Sequence, residues 1–354
     1  MNNYIAIIMP SLKIGGGNRV LLQFLNKAIE NDNKCKLFYL DRRGDNFKDL
    51  PPNTVSQNVY GDGVISILFF SIILSLKLRF DKSIKYVLVS DPILSIFSFI
   101  YSNKKKIRFV QSNDLLLFEE NIKGNTILNR IYKKFYTFSQ YYQYHKIIFN
   151  SKYSLDSYNN LLRPRNMYSD DCIINPPVFT LNYERNINNI SAYKKTTIAI
   201  VTNNHPRKGY KAFIDIVKKS KLKELNFIVI SQDELNSGLS NVLHLKPNSD
   251  DEYVQALKNC HFILSTSTFE GFGLPLIESM ALGVVPIAIY NKGMDEYNGN
   301  QNIIIIKSPE DFDVQITNII TNNDKYIKLS KEAIKTASLF TEQKFYSSII
   351  EKIY

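Results

Sequence analysis

The segment from Ser265 to Gly283 places a strand end, a glycine-rich turn and a helix start next to one another. The apolar run His261–Leu264 predicts a buried strand that leads into this turn. Pro275 suits the start of a helix, and Gly283 suits its end. Main-chain N–H groups and the positive end of the helix dipole would converge at the turn. The segment therefore predicts a site for a phosphate group.

Two carboxylates flank the predicted turn, with seven residues between them. Glu270 lies on the loop, and Glu278 lies one turn inside the predicted helix. Carboxylates are not needed against a diphosphate, but they are good acceptors for hydroxyl groups such as those of a sugar. An ordinary strand-turn-helix with two solvated glutamates is the alternative interpretation.

The run Glu270-Gly-Phe-Gly-Leu-Pro-Leu-Ile-Glu278 resembles the Glu-x7-Glu signature of the family-4 glycosyltransferases. These are retaining sugar-nucleotide enzymes of the GT-B fold. The resemblance implies that Glu270 binds hydroxyls of the donor sugar and that Glu278 binds those of the ribose. It also implies that the N–H groups of Phe272, Gly273 and Leu274 meet the phosphate and the sugar.

A second basic turn follows a predicted strand at Asn203-Asn-His-Pro-Arg-Lys-Gly209. Arg207 and Lys208 precede a helix start, where cations are unfavourable unless an anion binds there, so the turn is a candidate diphosphate clamp. Lys208-Gly209 resembles the Lys-Gly pair of the same family. The family's arginine is replaced by Asn203, and whether Arg207 substitutes for it stays open. Two solvated charges are the alternative.

Two further features extend the predicted site in the C-terminal half. Ser267 precedes Glu270 and is expected to line the pocket. The segment Tyr290–Glu296 resembles a later loop of the family that faces the cleft, with Asn291, Gly293 and Glu296 at matching places.

The composition is that of an ordinary globular protein, and it limits the partners. The chain has 354 residues, of which 44% are hydrophobic and 22% are charged, and this length suggests two domains. Its net charge of +11 suits nucleic acid, an anionic membrane surface or acidic small substrates. The three cysteines are far apart and lack metal-ligand spacing, so a reducing compartment is expected.

Alternating strands and helices predict an α/β protein with two doubly wound parallel sheets facing each other across a cleft. Tyr4–Met9 predicts the first strand and not a signal peptide. A polar stretch at Thr180–Lys195 predicts a linker. We expect an acceptor-binding domain at 1–180, joined by a returning helix at 340–354, and a nucleotide-sugar-binding domain at 181–339.

Two segments of the N-terminal half are candidates for the acceptor side. The run Gly15-Gly16-Gly17-Asn18-Arg19 resembles the glycine loop that faces the cleft in the family, although a tight turn explains it equally well. The segment Arg108–Glu119 resembles one that lies beside sugar and acceptor. Many relatives have a histidine there, whereas this chain offers Gln111, Ser112, Asn113 and Asp114.

Two apolar stretches in the same half bear on membrane contact. Basic and aromatic residues alternate from Ile127 to His145, which suits either an anionic membrane interface or an amphipathic helix with its rings in the core. The uncharged run Val64–Leu76 is too short to span a bilayer and predicts a helix packed on the sheet.

Together these features predict a retaining glycosyltransferase that uses a nucleotide-diphospho-sugar. The resemblance implies that no metal and no cofactor is needed, because cations and a helix N-terminus neutralise the diphosphate. Surface-polysaccharide or lipopolysaccharide assembly, in the cytoplasm or at the cytoplasmic face of the inner membrane, is the expected setting. The alternatives are a non-catalytic basic module that binds nucleic acid or membrane, and another sugar-processing enzyme. A paired-carboxylate hydrolase is disfavoured by the phosphate-type loop.

Overall fold

The computed structural model describes the chain except for residues 1–2, 10, 13–14, 42–49, 51–54, 61–62, 115–125, 143, 163–167, 184–195 and 300–301. Residues 115–119 of the predicted acceptor segment and 184–195 of the predicted linker therefore lie outside the described residues. The chain forms two compact units. The first comprises Met1–Pro177 and Glu342–Tyr354, and the second comprises Val178–Thr341.

The first unit contains a six-stranded parallel sheet in the order β3-β2-β1-β4-β5-β6. Its strands are β1 (Tyr4–Met9), β2 (Cys35–Asp41), β3 (Val55–Tyr60), β4 (Ile84–Val89), β5 (Lys105–Val110) and β6 (Lys146–Phe149). Its helices are α1 (Gly16–Glu30), α2 (Gly63–Phe80), α3 (Pro92–Ile96), α4 (Thr126–Tyr142), α5 (Lys152–Leu162) and the C-terminal α11 (Glu342–Ile353). Helix α11 packs on α1, so the prediction that the C-terminal helix returns to the first domain is confirmed.

The second unit also contains a six-stranded parallel sheet, in the order β12-β11-β10-β7-β8-β9. Its strands are β7 (Thr196–Val201), β8 (Leu225–Ile230), β9 (Val242–Leu245), β10 (Phe262–Ser265), β11 (Val285–Ile289) and β12 (Ile304–Ile306). Its helices are α6 (Tyr210–Lys219), α7 (Asp250–Lys258), α8 (Leu274–Ala281), α9 (Pro309–Ile320) and α10 (Asn323–Ala337). The predicted α/β class with two parallel sheets is confirmed.

The central strands of both sheets are apolar on both faces, so each sheet is covered by helices on both sides. Strand β1 is buried at every position from Ile5 to Met9, as parallel strands between helix layers are. In the second unit, α6 inserts Phe213 into one face of the sheet, and α8 inserts Ile277 into the other. Each face therefore has its own apolar cluster.

Local capping explains where several helices of the second unit begin. The Ser249 hydroxyl accepts a hydrogen bond from the N–H of Glu252, and Ser308 accepts one from Asp311. Both side chains satisfy a main-chain donor that has no acceptor within the helix. In the sequence, Ser249-Asp-Asp-Glu252 predicts a capping box and Ser308-Pro309 predicts a helix start, and both predictions are confirmed.

Two strands, β2 and β3, were not predicted from the sequence, and the linker begins later than predicted. Strand β2 was missed because a buried Cys35 and the polar Lys36 weaken its apolar pattern, and β3 because it is a polar strand at the sheet edge. The predicted linker was wrong at its start. Thr180 is fully buried in the second unit, where its hydroxyl donates to the carbonyl of Glu278.

Candidate functional site

Three loops of the second unit meet at the carboxyl edge of its sheet. They follow β7, β10 and β11, which are neighbours in the sheet. The chain order reverses between β7 and β10, because β8 and β9 extend to one side while β11 and β12 extend to the other. Such a switch point is where parallel α/β sheets bind ligands. All the site residues predicted for this half lie on these loops or on α8.

The loop after β7 is fixed to the loop after β10 by main-chain contacts. The N–H of Thr268 donates to the carbonyl of Arg207 at 2.9 Å, and the Thr266 hydroxyl donates to the carbonyl of Gly209 at 2.8 Å. Gly209 has a left-handed backbone with φ 69°, and a Cβ there would lie 2.0 Å from the Thr266 carbonyl oxygen. Glycine is therefore required at this position, and it brings Lys208 against the next loop.

Lys208, predicted to hold the diphosphate, and Glu270, predicted to bind the donor sugar, form an ion pair. Lys208 Nζ lies 2.7 Å from Glu270 Oε1, and their side chains are 18% and 14% exposed. Burial opposes ionisation of Glu270, but the Lys208 charge, hydrogen bonds from Lys208 and Ser267, and the charge of Arg207 outweigh it. The pKa of Glu270 therefore lies below its ordinary value. The carboxylate is charged and has one cation at hydrogen-bond distance.

Arg207 stands beside this pair on the same turn. Its guanidinium carbon lies 5.3 Å from the centre of the Phe269 ring, a cation–π distance. Asn203, at the position of the family's arginine, instead shapes the loop, since its side-chain oxygen accepts from the N–H of His205. Arg207 is thus a second cation near Glu270, whereas the described contact of Asn203 is structural.

The glycine turn leads into α8 as predicted. Gly273 caps the helix in a left-handed conformation with φ 83°, and a Cβ there would lie 2.6 Å from the Tyr297 hydroxyl. The N–H groups of Phe272, Gly273 and Leu274 precede or open α8, where main-chain donors have no acceptor one turn back. The Phe272 ring is buried in the core, so only its backbone faces this site.

Glu278 lies one turn inside the helix, as the sequence predicted. Because α8 begins at Leu274, Glu278 is its fifth residue. Its side chain is 2% exposed, and its Oε2 accepts a hydrogen bond of 2.7 Å from the Tyr253 hydroxyl. The alternative of two solvated glutamates is therefore wrong for both residues.

A pocket opens between these elements. It is lined by the end of β7, the end of β10 and the start of α8, including Val201, Ser265, Ser267, Glu270 and Pro275. Ser267 lines it as predicted.

Gly293, on the loop after β11, allows that loop to approach the backbone of Glu270 closely. A Cβ at Gly293 would lie 2.4 Å from the Glu270 carbonyl oxygen. Asn291 fixes the same loop, because its side chain accepts from the N–H of Gly293 and donates to the carbonyl of Ser267. The described contacts of Tyr290 are instead to Asp295. Asn291 and Gly293 thus keep the loop after β11 in contact with the loop that carries Glu270.

The first unit brings two of its predicted segments together. Gly15 caps α1, and Gly16 and Gly17 form its first residues, with Arg19 buried one turn along. The Gln111 amide donates to the Gly17 carbonyl at 3.2 Å and to the Ser90 hydroxyl at 2.5 Å. These contacts lie at the carboxyl ends of β1, β4 and β5, where this sheet has its own switch point. Gln111 and the glycine loop are thus neighbours within this unit.

Asp114 does not fit its predicted role beside the acceptor. Its carboxylate is buried and pairs with the fully buried Arg108, and it also accepts a hydrogen bond from Tyr136. Burial raises the pKa of Asp114 more than Arg108 lowers it. No local pattern indicates that Arg108 turns inward, so the structural partner of Asp114 was missed. Asn113 is also largely buried.

Some aromatic residues of the aromatic-basic segment around helix α4 pack in the core, and others are exposed to solvent. Tyr136 is buried, and the half-buried Tyr144, two residues beyond the helix, donates to the Ser95 carbonyl. Phe135 and Phe138 are 59% and 56% exposed. Among the described residues, no helix is long and apolar enough to cross a membrane.

Three residues of the site were not predicted: Tyr253, Thr266 and Tyr297. Each acts on a predicted residue through a contact between distant parts of the chain. A tyrosine on an amphipathic helix has no distinguishing sequence signal. The threonine in Ser-Thr-Ser-Thr could have been found only by knowing which loop faces it.

Comparison with known proteins shows the fold of the chain and a family match within the second unit. Residues 183–336 match the family described as "Glycosyl transferases group 1". The chain has the GT-B fold: HepE from Anabaena, solved in complex with UDP and glucose, superposes with a TM-score of 0.78 at 15% identity, covering 98% of each chain. WaaG, described as a glycosyltransferase involved in lipopolysaccharide biosynthesis, superposes with a TM-score of 0.75 at 13% identity, covering 99% of each chain.

A sequence relative is also similar over part of the chain. An uncharacterized glycosyltransferase of Methanocaldococcus jannaschii is 26% identical over 161 residues, which cover 42% of this chain and 45% of that protein. The match thus spans less than half of the relative's length. The comparisons thus show the GT-B fold for the chain and similarity to glycosyltransferases over part of its length.

Proposed function

We propose that this protein is a retaining glycosyltransferase that moves a sugar from a nucleotide-diphospho-sugar to a glycan or lipid-linked acceptor. The observation that best supports this proposal is that Lys208, Glu270 and the N-terminus of α8 meet at the switch point of the second sheet. Cations, main-chain donors and a charged hydroxyl acceptor are what a sugar diphosphate requires.

The proposed reaction exchanges one bond at the anomeric carbon of the donor sugar. The bond from this carbon to the diphosphate oxygen breaks, and its electron pair leaves with the diphosphate. The acceptor hydroxyl forms the new bond on the same face, and its proton passes to the departing phosphate oxygen. Lys208, Arg207 and the N–H groups of residues 272–274 stabilise the negative charge that develops there. No protein nucleophile is part of this scheme.

The two glutamates have different tasks in this proposal. Glu270 is on the pocket surface, and its charged carboxylate accepts hydrogen bonds from sugar hydroxyls. Glu278 accepts hydrogen bonds from the ribose diol. The Lys208–Glu270 ion pair gives this assignment a consequence: the diphosphate must compete with Glu270 for the Lys208 ammonium.

The remaining elements of the proposal concern the acceptor and the cellular setting. Gln111 and the glycine loop of the first unit are proposed to contact the acceptor. Hexosyl or deoxyhexosyl transfer in surface-polysaccharide or lipopolysaccharide assembly is proposed, supported by the likeness to WaaG. We place the enzyme in the cytoplasm with peripheral contact to an anionic inner membrane. The three cysteines form no disulfide with one another, which is consistent with that compartment.

The deciding experiment is a screen of sugar nucleotides with the purified protein. Thermal unfolding and slow donor hydrolysis are measured with UDP-, GDP-, ADP- and dTDP-sugars. We expect one nucleotide to raise the melting temperature and to be hydrolysed. Stabilisation by none of them, together with salt-dependent retention on RNA, would favour the non-catalytic basic module instead.

Independence from metal is part of the same proposal. Lys208, Arg207 and the helix N-terminus supply the positive charge that a metal ion provides in other transferases. Transfer should therefore continue in excess EDTA. Complete loss of activity that is restored by a divalent cation would refute this part of the proposal.

A further inference from the structure

Helix α2 is apolar on nearly all sides, and one row of its apolar side chains is exposed. Phe70, Leu74 and Leu78 are buried in the core of the first unit. On its other side Phe69, Ile72, Leu76 and Phe80 are 62%, 41%, 44% and 72% exposed. Their spacing of three and four residues places them on one face. A soluble helix normally carries polar residues on this face, so the stripe requires a partner.

Helix α4 exposes a second apolar stripe. Ile131, Phe135 and Phe138 are 48%, 59% and 56% exposed, and their spacing again defines one face. On the opposite side Tyr136 is buried against the core of the unit. Both helices are thus fixed to the unit by one side and apolar on the other.

The two stripes lie on neighbouring elements. Helix α2 packs against the short 3-10 helix Phe97–Phe99, which in turn contacts α4. Phe99 on this connecting element is 52% exposed. The end of α2 is tied to the same region, since the Arg79 guanidinium donates to the carbonyl of Ile100. We call α2, residues 97–99 and α4 the apolar-basic surface.

Charge indicates what covers this surface. Neither α2 nor α4 contains an aspartate or glutamate, whereas α2 ends with Lys77 and Arg79 and α4 carries Arg130, Lys133 and Lys134. All five basic side chains are exposed. A protein partner or a second copy would have to place acidic groups opposite these cations. An anionic lipid surface offers phosphates at the headgroup level and hydrocarbon directly beneath them.

We propose that the apolar-basic surface docks on an anionic lipid bilayer, with the Phe, Ile and Leu side chains inserted among the acyl chains and the cations at the phosphates. The buried sides of α2 and α4 fix both helices to the unit, so in this proposal the helices lie on the membrane and do not cross it. This extends the membrane contact proposed above from the aromatic-basic segment to a two-helix surface. It rests on exposure and charge, and it holds independently of which sugar is transferred.

The test is co-sedimentation with vesicles in the absence of sugar nucleotide. Vesicles of phosphatidylcholine are compared with vesicles that also contain phosphatidylglycerol. We expect binding to the anionic vesicles that weakens as salt rises. Phe69→Gln with Leu76→Gln, and separately Phe135→Gln with Phe138→Gln, should each lower the partition coefficient about ten-fold. Lys133→Gln with Lys134→Gln should lower it and reduce its salt dependence, because two of the five cations are removed.

Matched controls are available on the second unit. Val314→Gln with Ile320→Gln removes two apolar side chains that are 57% and 45% exposed on α9, and Lys328→Gln with Lys331→Gln removes two exposed cations on α10. These variants should bind vesicles like the unaltered protein. Melting temperatures of all variants verify that they fold.

Three results would overturn the proposal: equal binding to neutral and anionic vesicles, binding to neither, or a dimer that the Phe135→Gln and Phe138→Gln changes dissociate. The last would assign the surface to a second copy of the chain. Donor binding by calorimetry is a separate readout. If vesicle binding fails and donor binding is intact, only the membrane-docking proposal is refuted. If vesicle binding is intact and donor binding fails, only the glycosyltransferase proposal is refuted.

Discussion

Lys208 Nζ lies 2.7 Å from Glu270 Oε1, so the cation proposed for the diphosphate and the carboxylate proposed for the sugar neutralise each other. The contact spans 62 positions of sequence and depends on Gly209, where any side chain would collide with Thr266. The pair therefore links the two loops of the site both electrostatically and sterically.

The ion pair predicts a pH-dependent contribution to stability. The pKa of Glu270 in the folded protein is lowered from its ordinary value of 4.5. A lowered pKa means that the stabilisation is present above the ordinary value and disappears as the pH falls through the folded value. Lys208→Met should lower the free energy of unfolding by about 1–3 kcal/mol at pH 7 and by less in acid.

Urea unfolding of the two proteins from pH 7 to pH 3 measures this difference. Lys211→Met is the matched control, because Lys211 is exposed three residues further along the chain. A stability difference that stays constant across this range would show that the pair contributes through packing alone.

The same lysine should determine the affinity for the bare nucleoside diphosphate. Lys208→Ala removes a charge-assisted contact, which should cost about 1.5–3 kcal/mol of binding free energy. Calorimetry with the diphosphate that the screen selects measures this loss. Arg207→Ala, measured in parallel, decides whether Arg207 replaces the arginine absent at Asn203. Unchanged affinity in Lys208→Ala would remove Lys208 from the diphosphate site.

The fold could be predicted from the sequence because its signals are local. The alternation of buried strands and helices depends on neighbouring residues, as in β1, and so do the caps at Ser249 and Ser308. The glycines at 209 and 273 were likewise visible as turn residues. Glycine is required at position 209 because of the Thr266 carbonyl. That group lies 57 positions away in the sequence, so no local pattern indicates the contact.

The inward turn of Arg108 shows the same limit on the acceptor side. In sequence, Arg108 and Asp114 are polar residues at a strand end, the typical position of ligand-binding groups. In the structure they pair with each other inside the first unit. Strand β5 is central enough that residues on both of its faces are buried, so polarity alone did not reveal which side chains face solvent.

The two glutamates should be separable by mutation. Glu278→Gln should weaken the nucleoside diphosphate and the sugar nucleotide alike, because both contain ribose. Glu270→Gln should leave diphosphate binding intact or make it tighter, because it frees Lys208 from its ion pair. It should lower kcat more than it raises KM, since it removes stabilisation at the reacting centre.

Product-inhibition constants for the diphosphate, measured on both variants, test this division of labour. Both substitutions preserve size and remove only the negative charge. If Glu270→Gln weakens the diphosphate as much as Glu278→Gln does, the assignment of sugar to one glutamate and ribose to the other is wrong.

Tyr253 should act as a positioning residue for Glu278. Its hydroxyl donates to Oε2 of Glu278 at 2.7 Å, and its ring packs against Phe179, with the two ring centres 6.1 Å apart. Tyr253→Phe keeps the packing and removes one hydrogen bond from a buried carboxylate, which should cost about 1–2 kcal/mol where that carboxylate must be held in place. We expect weaker diphosphate binding, a higher KM for the donor and a nearly unchanged kcat.

The double variant separates positioning from a direct effect of Tyr253 on the ligand. If Tyr253 acts through Glu278, the losses of affinity in Tyr253→Phe and Glu278→Gln will not add in the double variant. Tyr183→Phe is the matched control, because Tyr183 donates to the exposed carboxylate of Asp251 on the same helix. Additive losses would mean that the Tyr253 hydroxyl contacts the nucleotide itself. An unchanged affinity in Tyr253→Phe would mean that the helix alone holds Glu278 in place.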